Sequence, residues 1–272
     1  MGKRILVAVV CIPLIFVIFF LLPPIFLPIM ISVLSMVAVH EVLWSTGFVK
    51  DLRISTLSIL LTGVIPFWVF IGEGMRSALV GIFLYFLLTF LVAISSHYTV
   101  TLEKMGGSFF FSMLIPYFLS SFVRLNDLPL GKYLILIPLV AAFTSDAFAL
   151  FAGMAFGKHK LAPELSPKKT VEGAVGGFMG AIVCCLLYGA VLQFGFQLRV
   201  SYLAFAVYGA LGSLVSQVGD LSFSYIKRQY GLKDFGNIFP GHGGVLDRFD
   251  SVIFCAPLIE ILVHYLPAVQ GV

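Results

Sequence analysis

The chain has 272 residues, 60% of them hydrophobic and 11% charged, with a net charge of +4 and a mean hydropathy of +1.07. Soluble domains carry about 25% charged residues, so this composition excludes a dissolved globule, a disordered chain, a nucleic-acid-binding arm and a disulfide-built secreted domain. What it leaves is an all-α polytopic integral membrane protein.

Taken in chain order, nine apolar runs are long enough to cross a bilayer, at roughly 5–22, 25–46, 54–71, 77–97, 108–123, 132–156, 173–197, 201–226 and 250–268. Lys3 and Arg4 precede the first run, which contains Pro13 and ends in Pro23-Pro24 without a small-residue cleavage site. It reads as a retained helix rather than a signal peptide. The breaks between runs hold Pro, Gly or charge, the longest being 157–172 and 227–248. If nine helices alternate, Lys3, Arg4, Lys50, Arg53, Lys104, Lys158, Lys160, Lys168, Lys169, Lys227, Arg228, Lys233 and Arg248 share one side, and Arg76, Arg124, Lys132 and Arg199 share the other. The positive-inside rule then places the N-terminus in the cytoplasm and the C-terminus outside. Residues 1–130 read as a helical scaffold suited to lipid access or subunit contacts. Residues 131–272 read as the catalytic region, with its two long loops in the cytoplasm.

Charged groups inside a span cost about 2.5–3.5 kcal/mol on insertion scales. Asp146 and Asp220 nevertheless lie within the sixth and eighth runs, with no basic residue one helical turn away. Each is a carboxylate paired with a lysine from another helix, one kept protonated, or a metal ligand or substrate-facing group. Gln217, Asp220, Ser224 and Lys227 follow at helical spacing and share one face. The break from Lys227 to Arg248 holds five glycines, including Gly241, Gly243 and Gly244, around His242, with Lys227, Arg228, Lys233 and Arg248 as fixed positive charge. Glycine lets the backbone approach a ligand closely and present N–H groups to phosphate oxygens. Asp247 and Asp250, three residues apart, open the last run. Carboxylates beside a phosphate-binding loop imply a bridging Mg²⁺, because bare carboxylates repel phosphate. In the other loop, Lys168 and Lys169 precede a helix start that favours anions, and Thr170 is placed to cap it. Cys11, Cys184, Cys185 and Cys255 lie in apolar stretches without metal-ligand spacing and read as small apolar fillers. His40, His97, His159 and His264 read as structural, and Glu260 stands one turn before His264 as a partner.

The stretch Ser224-x-Ile226-Lys227-Arg228, Lys233-Asp234-x-Gly236, Phe239-Pro240-Gly241-His242-Gly243-Gly244-Val245-x-Asp247-Arg248-Phe249-Asp250 resembles the signature of the phosphatidate cytidylyltransferases, or CDP-diacylglycerol synthases. A second stretch, from Asp146 through Ala149, Phe151, Gly153, Phe156 and Gly157 to Ser166-Pro167-x-Lys169-Thr170-x-Glu172-Gly173, resembles that family's upstream block. It departs at Leu150, where an aromatic is expected, and at Val171, where Trp is expected. The resemblance covers roughly residues 140–265. It implies transfer of the cytidylyl group of CTP to phosphatidic acid, giving CDP-diacylglycerol and pyrophosphate, at the cytoplasmic face of the inner membrane. It also implies Mg²⁺ and leaves a second cation and a homodimer open. Asp220 and Asp247, supported by Asp250, are expected to hold the ion, and Asp146 to add a ligand or order the site. Lys168, Lys169, Ser224, Lys227, Arg228, Lys233, Arg248 and the loop glycines are expected to bind phosphates, with His242 orienting them. The alternatives are a CTP-dependent polyprenol or lipid kinase, which shares the basic loops and the metal, and an anion transporter. The transporter would need intramembrane charge in two pseudo-symmetric halves, whereas here the polar groups crowd one half.

Overall fold

The structure is a computed structural model that describes residues 16–49, 51–72, 74–97, 99–238 and 243–270. It is predominantly helical, in line with the composition. Residues 16–20 are helical, followed by α1 (Phe26–Ser45), α2 (Leu52–Ile71), α3 (Gly74–Ser95), α4 (Leu102–Leu119), the short α5 (Ser121–Asp127) and α6 (Gly131–Leu134), and α7 (Ile137–Phe156). Two short strands, β1 (Lys160–Ala162) and β2 (Ser166–Thr170), form a hairpin before α8 (Val171–Phe196). Then come β3 (Arg199–Val200), α9 (Tyr202–Gln229), α10 (Leu246–Tyr265) and β4 (Val269–Gln270), with β3 and β4 paired antiparallel.

Among the described residues, seven helical stretches are long and apolar enough to cross a membrane: Phe26–Ser45, Leu52–Ile71, Ala78–Ser95, Leu102–Asp127, Gly131–Phe156, Val171–Phe196 and Tyr202–Gln229. Each matches one of the predicted runs. The first predicted run lies mostly outside the described residues. The ninth corresponds to α10, a 20-residue helix whose Asp247, Arg248, Asp250 and Glu260 make it the most polar of the long helices after α9.

The chain divides into two compact units, residues 1–124 with 230–248, and residues 125–229 with 249–272. In the first unit, α2 packs against α1, α3 and α4. Leu61, Ile65 and Tyr85 form a buried cluster covered by Leu57, Trp68, Phe109 and Met113. Polar atoms inside this bundle pair across helices: Ser32 Oγ donates to the Gly63 carbonyl (2.8 Å), and Ser58 Oγ meets Tyr85 Oη at 3.2 Å. Asp51 caps α2 by accepting the Arg53 N–H at 2.9 Å, and the Arg53 guanidinium beside it holds its carboxyl below the usual carboxylate range.

In the second unit, α7, α8 and α9 pack pairwise. The α7–α8 seam is built from Gly173, Gly176, Gly177 and Gly180, where the two backbones approach too closely for side chains: a Cβ at Gly177 would lie 2.6 Å from the Ser145 carbonyl oxygen. Close approach through small residues is how membrane helices gain dispersion contacts when lipid supplies no hydrophobic drive between them. Along its length α8 also exposes Val175, Met179, Val183, Leu187, Val191 and Phe194. That apolar stripe recurs every three or four residues and winds around the helix, as suits a surface exposed to a bilayer.

Candidate active site

The hairpin and the C-terminal end of α9 form the first half of the site, within the second unit. Alternate residues of a strand face opposite ways, so on β2 Lys168 is exposed while Lys169 turns to α9 and forms an ion pair with Asp220 Oδ2. One turn further along α9, Ser224 Oγ donates to Asp220 Oδ1 (3.3 Å). Arg228 Nε donates to the Leu165 carbonyl (3.1 Å), which fastens the turn of the hairpin to the end of α9. Glu172 closes the hairpin from its other side: it accepts the backbone N–H groups of Lys158 (3.0 Å) and His159 (3.2 Å) and meets His159 Nδ1 at 2.5 Å. Thr170 caps α8 as expected, accepting the Gly173 N–H at 3.1 Å. The predicted stripe on α9 divides by task. Gln217 donates to the Ala174 carbonyl of α8 (3.2 Å), Asp220 meets the hairpin, and Lys227 is 8% exposed.

The second half is acidic and also within the second unit. Asp250, 7% exposed, lies within electrostatic reach of Asp220, Lys227 and Asp146. Ser251 links two of these carboxylates: its Oγ donates to Asp146 Oδ2 (2.7 Å) and lies 3.3 Å from Asp250 Oδ1, which also accepts the Ser251 N–H at 2.8 Å. Ser251 was not anticipated from the sequence, although a hydroxyl beside a carboxylate at the start of an apolar run is a legible signal. His264 Nδ1 meets the Glu260 carbonyl oxygen at 3.2 Å.

The glycine-rich loop belongs to the first unit. Asp247, 8% exposed, points back into the loop, where its Oδ2 accepts the N–H groups of Phe235 (2.8 Å) and Gly244 (3.0 Å). Gly243 has φ +82°, a left-handed conformation that L side chains rarely adopt, and a Cβ there would lie 2.8 Å from Asp247 Oδ2. Glu41 of α1 approaches the same loop: it is 5% exposed and accepts the N–H groups of Val245 (3.0 Å) and Leu246 (2.8 Å). Glu41 was not anticipated, since a single carboxylate barely lowers the hydropathy of the run that contains it. Lys233 and Arg248 are exposed on this loop. Gly241 and His242, both expected to bind phosphate, lie outside the described residues.

Among the described residues, no group of three or more His, Cys, Asp or Glu is placed to hold a metal ion by itself. The donors at the end of α9 are carboxylates and hydroxyls, hard oxygens that suit Mg²⁺. That ion usually takes one or two carboxylates and fills its remaining positions with substrate phosphates and water. The residues therefore fit an ion that arrives with a polyphosphate.

A family model described as the cytidylyltransferase family matches residues 2–266. The phosphatidate cytidylyltransferase of Bacillus subtilis (strain 168) is 34% identical over 245 residues, spanning 86% of this chain and 87% of the relative. That of Rickettsia bellii is 36% identical over 183 residues, 65% of this chain and 78% of its own length. That of Thermotoga maritima is 36% identical over 156 residues, 57% of each chain. With a family match that runs almost from end to end, the chain belongs to the cytidylyltransferase family.

Proposed function

We propose that this protein transfers the cytidylyl group of CTP to phosphatidic acid, releasing pyrophosphate and forming CDP-diacylglycerol, in a Mg²⁺-dependent reaction at the cytoplasmic face of the cytoplasmic membrane. The observation that carries the proposal is the meeting, at one end of the α8–α9 pair, of a basic hairpin with the carboxylate of Asp220.

The chemistry asks little of a general base. The nucleophile is the phosphate monoester of phosphatidic acid, whose second pKa is about 6, so its oxygen is largely ionised at neutral pH. That oxygen attacks the α-phosphorus of CTP, the bond from the α-phosphorus to the bridging oxygen breaks, and pyrophosphate leaves with that oxygen. The demand is to bring two polyanions together, align them and stabilise charge on the leaving group. Lys168, Lys227 and Arg228 supply positive charge at the end of α9, and Lys169 is held ready there by Asp220. The glycine loop offers Lys233, Arg248 and backbone N–H groups to phosphate oxygens. Asp220 and Asp250 are the residues that would hold Mg²⁺, with Asp146 and Ser251 fixing the orientation of Asp250. Asp247, expected from the sequence to share in holding the ion, accepts two backbone N–H groups and so orders the described part of the loop. When bound, the ion would neutralise charge on the nucleotide's phosphate chain. A scaffold of membrane-spanning helices suits an acceptor with two acyl chains.

The test is product analysis with purified protein in detergent micelles, with CTP and phosphatidic acid as substrates. The expected products are CDP-diacylglycerol and pyrophosphate, formed with added Mg²⁺ and lost on chelation. Release of CDP with a phosphorylated lipid would identify a kinase instead, and turnover unaffected by chelation would remove the metal from the proposal.

A further inference from the structure

Glu41 is a buried acidic residue, and its surroundings show what it holds. It sits near the end of α1, whose other residues are apolar or serine apart from His40. Burying a carboxylate costs several kcal/mol unless hydrogen bonds replace its water. Its replacements are the N–H groups of Val245 and Leu246, one on each oxygen. Leu246 is the first residue of α10, so these are donors that the helix leaves unsatisfied at its start, where its dipole also favours negative charge. The loop is shaped around this carboxyl group. A Cβ at Gly244 would collide with both Glu41 oxygens, and a Cβ at Gly236 would collide with Oε1 and lie 2.8 Å from Cδ. Asp247 ties the same two loop segments together from the other side, through Phe235 and Gly244. Four backbone N–H groups of one loop are thus fixed by two carboxylates, one local and one from a helix more than 200 residues away in sequence.

We infer that Glu41 is a positioning residue for the described segments of the glycine-rich loop, 233–238 and 243–248, holding them where Lys233, Gly243 and Arg248 receive the phosphates of CTP. The inference rests on the cytidylyltransferase reading for its ligand, but not for its geometry. A loop that must be ordered by the nucleotide itself spends binding energy on ordering. The loss therefore falls mainly on KM, the mark of an interaction shared by ground and transition states.

The experiment compares wild type, Glu41→Gln and Gly244→Ala as full-length protein in detergent. Glu41→Gln keeps the shape but turns one acceptor into an NH₂ group facing a backbone N–H. KM for CTP is expected to rise about tenfold, with kcat falling less than about threefold. A second readout needs no turnover: Asn237→Cys in a cysteine-free background, reacted with a maleimide, is expected to label several-fold faster when Glu41 is Gln. Should Glu41→Gln not yield folded protein, Gly244→Ala crowds the same carboxylate from the loop side, and both readouts are expected to move in the same direction. Unchanged KM and unchanged labelling would overturn the inference, as would a lowered melting temperature with both readouts at wild-type values. If wild type releases no pyrophosphate, the cytidylyltransferase reading fails, while the labelling still decides the role of Glu41.

Discussion

Lys169 and Asp220 hold each other in place. A lone carboxylate on α9 within an apolar helix is costly, and the hairpin lysine offsets that cost while being kept beside the end of the helix where we propose that phosphate binds. The pair has two tasks, so its members should not act independently. Lys169→Met and Asp220→Asn are each expected to lower kcat/KM about 10²-fold. The double variant should lose less than the product of the two, with a coupling of about 0.5–3 kcal/mol in a double-mutant cycle of the CTP reaction. Losses that simply multiply would separate the two residues functionally. At this scale the sequence discloses the chemistry better than the partners. Asp146, Asp220 and Asp250 stand out as carboxylates in apolar surroundings, and Lys169 as a cation beside a helix start. The pairing of Lys169 with Asp220 leaves no trace in local spacing, because 51 residues separate them. Glu41 is less visible still, since its partners are backbone groups 204 and 205 residues away, and backbone donors carry no side-chain signature.

The helices themselves follow directly from hydropathy, because a bilayer demands about 20 apolar residues and internally satisfied backbone. The small hairpin does not. Ser166-Pro167-Lys168-Lys169 reads as a turn and a charged loop, and its strand form depends on pairing with Lys160–Ala162 and on the contacts of Glu172, which only tertiary structure supplies. Which glycines matter is also a matter of packing rather than composition. On α8, Gly177 faces the Ser145 carbonyl at a distance that leaves no room for a methyl group, whereas Gly195 near the helix end has nothing within 4 Å of its Cβ position. Gly177→Ala is therefore expected to force the α7–α8 seam apart at a cost of about 1–3 kcal/mol. Gly195→Ala should be neutral or stabilise by up to about 1 kcal/mol through helix propensity. Thermal unfolding of both variants in the same detergent checks the contrast, and equal effects would show that the seam is not as tight as its geometry.

Orientation across the membrane belongs to the molecule as a whole, and the second unit carries its own signal. Lys169 on Asp220 and Arg228 on Leu165 put the hairpin and the C-terminal end of α9 at one end of that unit. Tyr133 against Phe196, with ring centroids 5.0 Å apart, and the β3–β4 pair put Lys132 and Arg199 at the other. Lys158, Lys160, Lys168, Lys169, Lys227 and Arg228 thus crowd the end that holds the candidate site, against Lys132 and Arg199 opposite. Short loops rich in Lys and Arg stay in the cytoplasm, where CTP is made and used, so the charge pattern and the proposed substrate make the same demand. This reading does not depend on whether the chain has seven spans or nine, because it compares the two ends of the same helices. A single cysteine at Glu164, on the exposed turn of the hairpin, should resist a membrane-impermeant maleimide in right-side-out vesicles and react once the vesicles are opened. One at Gln197, exposed at the opposite end of α8, should react in both. The reverse pattern would put the basic hairpin outside, away from any nucleotide, and the cytidylyltransferase chemistry would lose its substrate.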